Sequence, residues 1–176
     1  PIGAKVKSGH DMSREYKVLS ALKNNYKKSP APLHYCNDIN IIGSDFYIME
    51  RIRGTVLRSN NFKKILTSKI QYDFIASEFI DTFVELHKLE IEKIGLSEFG
   101  RPVGYCERQV MGWTKRYQNS KTHDIPEINF VINWLTNNIK ESSYVSLIHN
   151  DFKYDNLVLD SKTLSVKSVL DWEMCT

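Results

Sequence analysis

The sequence predicts an α+β fold, helices combined with two β-hairpins, and three observations carry that prediction. Apolar residues recur at helical spacing across residues 68–93. Two strand-like runs, 33–42 and 46–52, meet at Gly43-Ser44-Asp45, a hairpin signal. A second pair of apolar runs, 157–159 and 166–170, flanks Asp160-Ser161-Lys162-Thr163, which has the composition of a turn.

In chain order, Asp11 or Ser13 is placed to cap a first helix to about Asn25, with Tyr16, Leu19 and Leu22, or Val18 and Leu22, on one face. Glu15 lies in its first turns, where a carboxylate suits the helix dipole. Pro30 and Pro32 end it, and the first hairpin follows, with Met49 expected to fill core. The helix over 68–93 carries an apolar stripe of Phe74, Ile75, Phe79, Phe83, Leu86 and Leu89, with His87 packed beside it and Gly95 ending it. After an irregular stretch over 99–105, helices are expected over 107–117 and 128–139, the second entered through Asp124-Ile125-Pro126. Trp113, Tyr117 and Trp134 have the spacing of helix-on-helix packing, and could instead line a ligand wall. Residues 144–148 read as a strand leading into the second hairpin.

At 176 residues and 41% hydrophobic, the chain can bury one good core, or one lobe of a two-lobed fold with part of the other. It has no apolar run near the eighteen residues that spanning a bilayer requires and no signal-peptide pattern at its start, so a cytoplasmic location and no membrane partner are expected. Cys36, Cys106 and Cys175 are odd in number and widely spaced, which argues for free thiols rather than disulfides or zinc. The net charge of +3 comes from scattered lysines without a basic block, so nucleic acid is not an expected partner.

The chemistry concentrates in Leu147-Ile148-His149-Asn150-Asp151-Phe152-Lys153-Tyr154-Asp155-Asn156, with Asp171 fifteen residues after Asn156 at the end of an apolar run. The pattern H-x-D-x-x-x-x-N followed by D is the order in which kinases set out a catalytic base and two magnesium ligands. Asp151 has to reach a substrate hydroxyl, while the oxygens of Asn156 and Asp171 hold Mg²⁺ against the phosphates of ATP. The plainer alternative makes Asp155, Asn156 and Asp160 turn formers and His149 a cap.

Together with Arg14-Glu15-Tyr16-Lys17-Val18-Leu19-Ser20-Ala21-Leu22, Phe46-Tyr47-Ile48-Met49-Glu50-Arg51-Ile52-Arg53-Gly54, Tyr105-Cys106-Glu107-Arg108-Gln109, Gly112-Trp113 and Leu170-Asp171-Trp172-Glu173, this loop makes the chain resemble a known group. It is similar to the aminoglycoside phosphotransferase and choline kinase superfamily, and within it to the phosphotransferase domains associated with acyl-CoA dehydrogenases. The resemblance implies a protein-kinase-like two-lobed fold, with 1–52 a partial small lobe, a hinge at about 50–54, and 53–176 a partial, mainly helical large lobe. It implies ATP-dependent, Mg²⁺-requiring transfer of the γ-phosphoryl group to an alcohol on a small molecule. In that scheme Asp151 is the base, Lys153 neutralises the γ-phosphate, His149 braces the loop, and Asn156 and Asp171 ligate magnesium. Glu15 would aim an ATP lysine, Glu50, Arg51 and Ile52 would meet adenine, read through backbone groups, and Met49, where it does not fill core, would sit near the gate of that pocket. Asn150 stands where most relatives have Gly, and asparagine tolerates left-handed backbone.

Against the family pattern, the Gly-rich hairpin and lysine-bearing strand that precede the first helix, and helices that complete the large lobe, are expected in a larger reading frame. On that pattern residues 1–10 are a linker, with Lys5 and Lys7 too late to be the ATP lysine. The dehydrogenase-associated relatives imply a hydroxyacyl-CoA acceptor and association with an acyl-CoA dehydrogenase; the superfamily name implies an aminoglycoside. Residues 97–140 are not acid-rich, as a pocket for polycationic sugars would be, which favours the former. Arg108 and Arg116 would suit an anionic acceptor. A catalytically silent pseudokinase or nucleotide-binding module is the alternative of another class.

Overall fold

The computed structural model describes residues 11–140, 142 and 144–176; residues 1–10, with Lys5 and Lys7, lie outside them. The chain forms two compact units, one running to Ser97 and resuming over Ser146–Thr176, the other Glu98–Val145.

In the first unit, helix α1 (Met12–Leu22) starts where the Asp11 carboxylate accepts the Arg14 N–H at 2.9 Å. Its apolar residues Val18, Leu19 and Leu22 are completely buried. Strand β1 (Pro32–Cys36) pairs antiparallel with β2 (Phe46–Met49), so the expected first hairpin is present. Its first strand is shorter than the composition suggested, because Ile39–Ile42 forms a short helix, α2. Asp38 accepts the Asn40 N–H at 2.9 Å, and Gly43, at φ 88°, donates its N–H to Ile39 at 2.9 Å. Capping at both ends outcompetes the β-propensity of three isoleucines, all of which are exposed. The second strand ends at Met49, which is 37% exposed rather than in the core.

A short helix α3 (Phe62–Ile65) leads to α4 (Lys69–His87), opened by a reciprocal capping box between Ser68 and Gln71. Helix α4 stops well before residue 93; turns follow, and Gly95 at φ 76° ends those turns rather than the helix. Its buried face is Ile75, Thr82 and Leu86 with Phe79 and Phe83 half-buried, while Phe74 is exposed at the margin of the stripe. His87 packs against Phe83 with 4.0 Å between ring centres, and burial lowers its pKa.

Residues 144–148 do not form a strand. Ile148 instead exchanges both backbone hydrogen bonds with Thr176, at 2.8 and 2.9 Å. Strand β3 (Leu157–Leu159) then pairs antiparallel with β4 (Val166–Val169), across a turn held by the Asp160 carboxylate, which accepts the N–H groups of Lys162 and Thr163 at 2.9 Å. Thr55 bridges to Leu159 through two 2.8 Å backbone bonds. The core joins α1, this hairpin and α4, with Trp172 edge-on to Tyr26 at 6.1 Å.

The second unit holds α5 (Tyr105–Ser120) and α6 (Pro126–Asn137), with Pro126 in the first turn as expected. Neither helix has a buried residue, and Trp113 and Trp134 are 60% and 55% exposed. Trp113 and Trp134 are thus not buried between helices among the described residues, while Tyr117 is half-buried; the Arg116 guanidinium lies 4.7 Å over Trp113 as a cation–π pair. Arg108 donates to the carbonyls of Arg101 and Val103. No described helix is long and apolar enough to cross a membrane.

Close approach at Gly54 generates a stability prediction. A Cβ there would lie 2.2 Å from the Leu159 carbonyl oxygen and 2.6 Å from Val158 Cγ1, whereas one at Gly112, inside α5, meets nothing within 4 Å. Gly54→Ala should lower unfolding free energy by roughly 1–3 kcal/mol through overpacking, and Gly112→Ala should raise it by about 0.5–1 kcal/mol through helix propensity. Urea denaturation followed by circular dichroism checks both signs.

Candidate active site

The site is built on the loop between the Ile148–Thr176 pair and β3, and on the residue that follows the end of the β4 run. His149 is buried, and both ring nitrogens are used: Nε2 donates to the Leu170 carbonyl at 3.0 Å, and Nδ1 accepts the Asp151 N–H at 3.2 Å. Burial lowers the pKa of its imidazole, consistent with a neutral ring serving as a brace. Phe152 anchors the loop from below, edge-on to Phe79 at 4.8 Å and Phe83 at 5.2 Å, so the stripe of α4 supports the loop.

Asn150 has φ 65°, the left-handed conformation, and its side-chain amide donates to the Met174 carbonyl at 2.9 Å. That turn presents the Asp151 carboxylate, whose Oδ2 receives Lys153 Nζ at 2.6 Å and Asn156 Nδ2 at 3.0 Å. The Lys153 ammonium foremost, with the Asn156 amide, holds the carboxyl below the usual range, and Asp151 in turn raises Lys153. Asn156, on a single 3₁₀ turn (Tyr154–Asn156), also donates to the Asp151 carbonyl at 2.9 Å and comes within 3.5 Å of Asp171 Oδ2. One amide thus touches both carboxylates.

Asp171 is itself left-handed, at φ 69°. The Leu170 N–H bonds the Asn156 carbonyl at 2.8 Å before it, and the Trp172 N–H bonds Glu15 Oε1 at 3.1 Å after it. Glu15 is 8% exposed and also accepts the Tyr47 hydroxyl; burial raises its pKa. The carboxylate expected to aim a lysine or satisfy the helix dipole is therefore bonded to Tyr47 and to the segment carrying Asp171. Glu50 sits at the end of β2, its N–H on the Ala31 carbonyl at 2.8 Å, while Arg51 is exposed and Ile52 half-buried in irregular chain. His149, Asp151, Lys153, Asn156, Asp171 and Glu15 are thus linked, and 50–52 form a separate strap.

Among the described residues no cluster of three His, Cys, Asp or Glu side chains is placed to hold a metal. Asn156 and Asp171 offer hard oxygen donors, a set that suits Mg²⁺, which takes one or two carboxylates and completes its shell with water and phosphate oxygens. Two contributions escaped sequence reasoning. Tyr47 looked like one more strand residue, and the segment after Gly54, Leu57 with Phe62 and Leu66, carries no periodicity, yet it lines a cavity of about 480 Å³ beside Lys153.

Comparison with known proteins places these observations. The family model described as "Phosphotransferase enzyme family" matches residues 4–176. "Acyl-CoA dehydrogenase family member 11" of Rattus norvegicus is 38% identical over 177 residues, covering all of this chain and 22% of that protein. A Ralstonia eutropha JMP134 structure, provisionally assigned as an aminoglycoside phosphotransferase, superposes with a TM-score of 0.84 at 32% identity, over 94% of this chain and 50% of its own. Aminoglycoside 2'-phosphotransferase-IIIa, held in complex with GDP, superposes with a TM-score of 0.70 at 14% identity, over 98% of this chain and 58% of its own, a likeness of fold. The chain spans about a fifth of the curated relative and half of the first structure.

The buried imidazole gives a pH test. His149 has a folded pKa below its ordinary 6.5, so as pH falls below that value the unfolded state takes up a proton first and the folded state loses relative stability. Between pH 7.5 and 5.5 the melting temperature of the wild type should fall more than that of His149→Gln, the difference isolating this ring from other titrating groups. Parallel scans of the two proteins would sink the neutral brace.

Proposed function

The chain belongs to the phosphotransferase enzyme family, and on that premise we propose that it carries the catalytic loop of an ATP-dependent kinase acting on the hydroxyl of a small molecule. The observation that carries the proposal is the Asn156 amide, which joins the Asp151 carboxylate to the Asp171 carboxylate at 3.0 and 3.5 Å. Its support from relatives is nucleotide binding on the same fold, since the aminoglycoside 2'-phosphotransferase-IIIa structure is a GDP complex.

Asp151, ionised at neutral pH, orients the acceptor hydroxyl and takes its proton as the phosphoryl group transfers. The bonds from Lys153 and Asn156 both fall on Oδ2, so Oδ1 is the oxygen to face the acceptor. Lys153 reaches the γ-phosphate by exchanging its Asp151 partner for the incoming oxygens, a short movement for a half-exposed side chain. Asn156 and Asp171 would hold Mg²⁺, which would supply neutralisation of the charge on the nucleotide's phosphates. His149 acts on position, Glu15 aims the lysine that holds the ATP phosphates, and Glu50, Arg51 and Ile52 meet adenine at a hinge of about 50–54 that joins a partial small lobe over 1–52 to a partial large lobe over 53–176.

For the acceptor we favour a hydroxyacyl-CoA, because of the likeness to acyl-CoA dehydrogenase family member 11, and with it association with an acyl-CoA dehydrogenase module in the cytoplasm. An aminoglycoside is the second reading, favoured by the Ralstonia structure.

In the full-length protein, Asp151→Asn should cut turnover by roughly 10²–10⁴-fold, the usual contribution of a positioned base, with nucleotide binding retained. Asp171→Asn should instead weaken magnesium-dependent nucleotide binding, read by calorimetric titration with and without Mg²⁺. Unchanged phosphoryl transfer in Asp151→Asn would rule out this mechanism, and no transfer to any alcohol would leave a nucleotide-binding module. Turnover of aminoglycosides alone would replace the hydroxyacyl-CoA assignment.

A further inference from the structure

We propose that the cavity beside the catalytic loop is the seat of the acceptor's aliphatic chain, an inference that rests on the kinase reading and adds a binding site to it. The cavity measures about 480 Å³, within the range of small-molecule sites, and its walls are Leu57, Phe62, Leu66, Tyr72 and Ile75.

Its construction explains why it stays open. Thr55 is pinned to Leu159 by two backbone bonds, and the chain then turns where Asn61 Oδ1 accepts the Arg58 N–H at 2.7 Å and Asn61 Nδ2 donates to the Val56 carbonyl at 3.0 Å. Leu57 and Leu66 are buried on either side of that turn, so the segment over 55–66 is anchored at both ends. The first turns of α4 supply Tyr72 and Ile75 on the facing wall.

Its place fixes its use. Lys153, Tyr154 and Asp155 of the catalytic loop close one side, and Lys153 Nζ is 2.6 Å from Asp151 Oδ2. A ligand filling the cavity therefore ends one lysine side chain from the carboxylate proposed as base.

Its chemistry selects the class of ligand. The wall is mainly apolar, and the charged groups on it are Arg58, Asp155 and Lys153, the last already paired with the Asp151 carboxylate. A polycationic aminosugar would leave ammonium groups against apolar surface and beside Arg58, a desolvation that the one carboxylate of Asp155 does not offset. An alkyl chain buries well here, and a carbonyl or phosphate at its head meets Arg58. The acceptor is thus an acyl compound whose hydroxyl lies near the head and whose tail occupies the cavity.

The test uses the full-length protein and two variants outside the catalytic machinery. Ser59→Trp fills the cavity from its exposed rim, and Tyr72→Gln makes one wall polar. Hydroxyacyl-CoA acceptors with four to ten acyl carbons are compared by kcat/KM. A decanoyl-CoA bearing a terminal diazirine is photolysed on the protein and mapped by mass spectrometry. In the wild type kcat/KM should climb with chain length by up to about fourfold per methylene, the equivalent of ~0.8 kcal/mol, and the diazirine should label 57–75. Both variants should flatten the slope and lose the label, with KM for ATP unchanged. If no hydroxyacyl-CoA is phosphorylated but the label still lands on 57–75 and is lost in Ser59→Trp, the cavity stands as an acyl site and the acceptor assignment falls. A label elsewhere, or a chain-length slope that both variants leave intact, overturns the proposal.

Discussion

The arrangement depends first on a buried carboxylate. Glu15 accepts the backbone N–H of Trp172 and the hydroxyl of Tyr47, tying α1 and β2 to the segment that carries Asp171. A non-glycine residue at φ 69° sits in a backbone region that costs of order 1–3 kcal/mol unless its neighbours hold it. Here they do so on both sides, Leu170 through Asn156 and His149, Trp172 through Glu15 and through its own indole N–H on Val169. Desolvation of Glu15 is the cost, and two donors offset it.

The loop opposite is held by different physics. Phe152 rests on the Phe79 and Phe83 rings of α4, an apolar footing, while above it the polar groups satisfy each other: Lys153 and Asn156 on Asp151, Asn150 on the Met174 carbonyl. The imidazole of His149 lies between these layers, tilted against Trp172 at 4.8 Å with both nitrogens bonded. The two carboxylates are thereby brought to one amide by elements far apart in sequence, each rigid for its own reason.

How much of this was legible follows from the range of the interactions. The second hairpin and the start of α1 rest on local signals, Asp160 in a turn and Asp11 as a cap, and both stand in the structure. Residues 39–42 misled because three isoleucines favour extended chain, while the deciding term was a pair of caps at Asp38 and Gly43. The stretch over 144–148 is strand-like in composition, but Tyr144 bonds the Ser142 hydroxyl locally and Ile148 exchanges its backbone bonds with the single residue Thr176, so no ladder forms along it. The side chains of the loop were visible as a motif, but the partners of Glu15 were not, since nothing local in a helix start predicts a bond to residue 172. The wall of the cavity had no pattern to find; Leu57, Leu66 and Ile75 come together only through tertiary packing.

The reciprocal Ile148–Thr176 pair has a consequence for how the site assembles. It closes a ring of chain that contains His149, Asp151, Asn156 and Asp171, together with the hairpin between them. Within that ring the contacts are near in sequence, whereas the Glu15 bond spans 157 positions. By loop-closure entropy the distant bond costs roughly 1.5 kcal/mol more to form than the ring itself. Loop-closure entropy therefore favours one order of events, in which His149, Asp151, Asn156 and Asp171 are gathered by a short closure before α1 docks onto the hairpin. Damage to α1 would loosen a completed site, while damage to the ring would prevent one from being made.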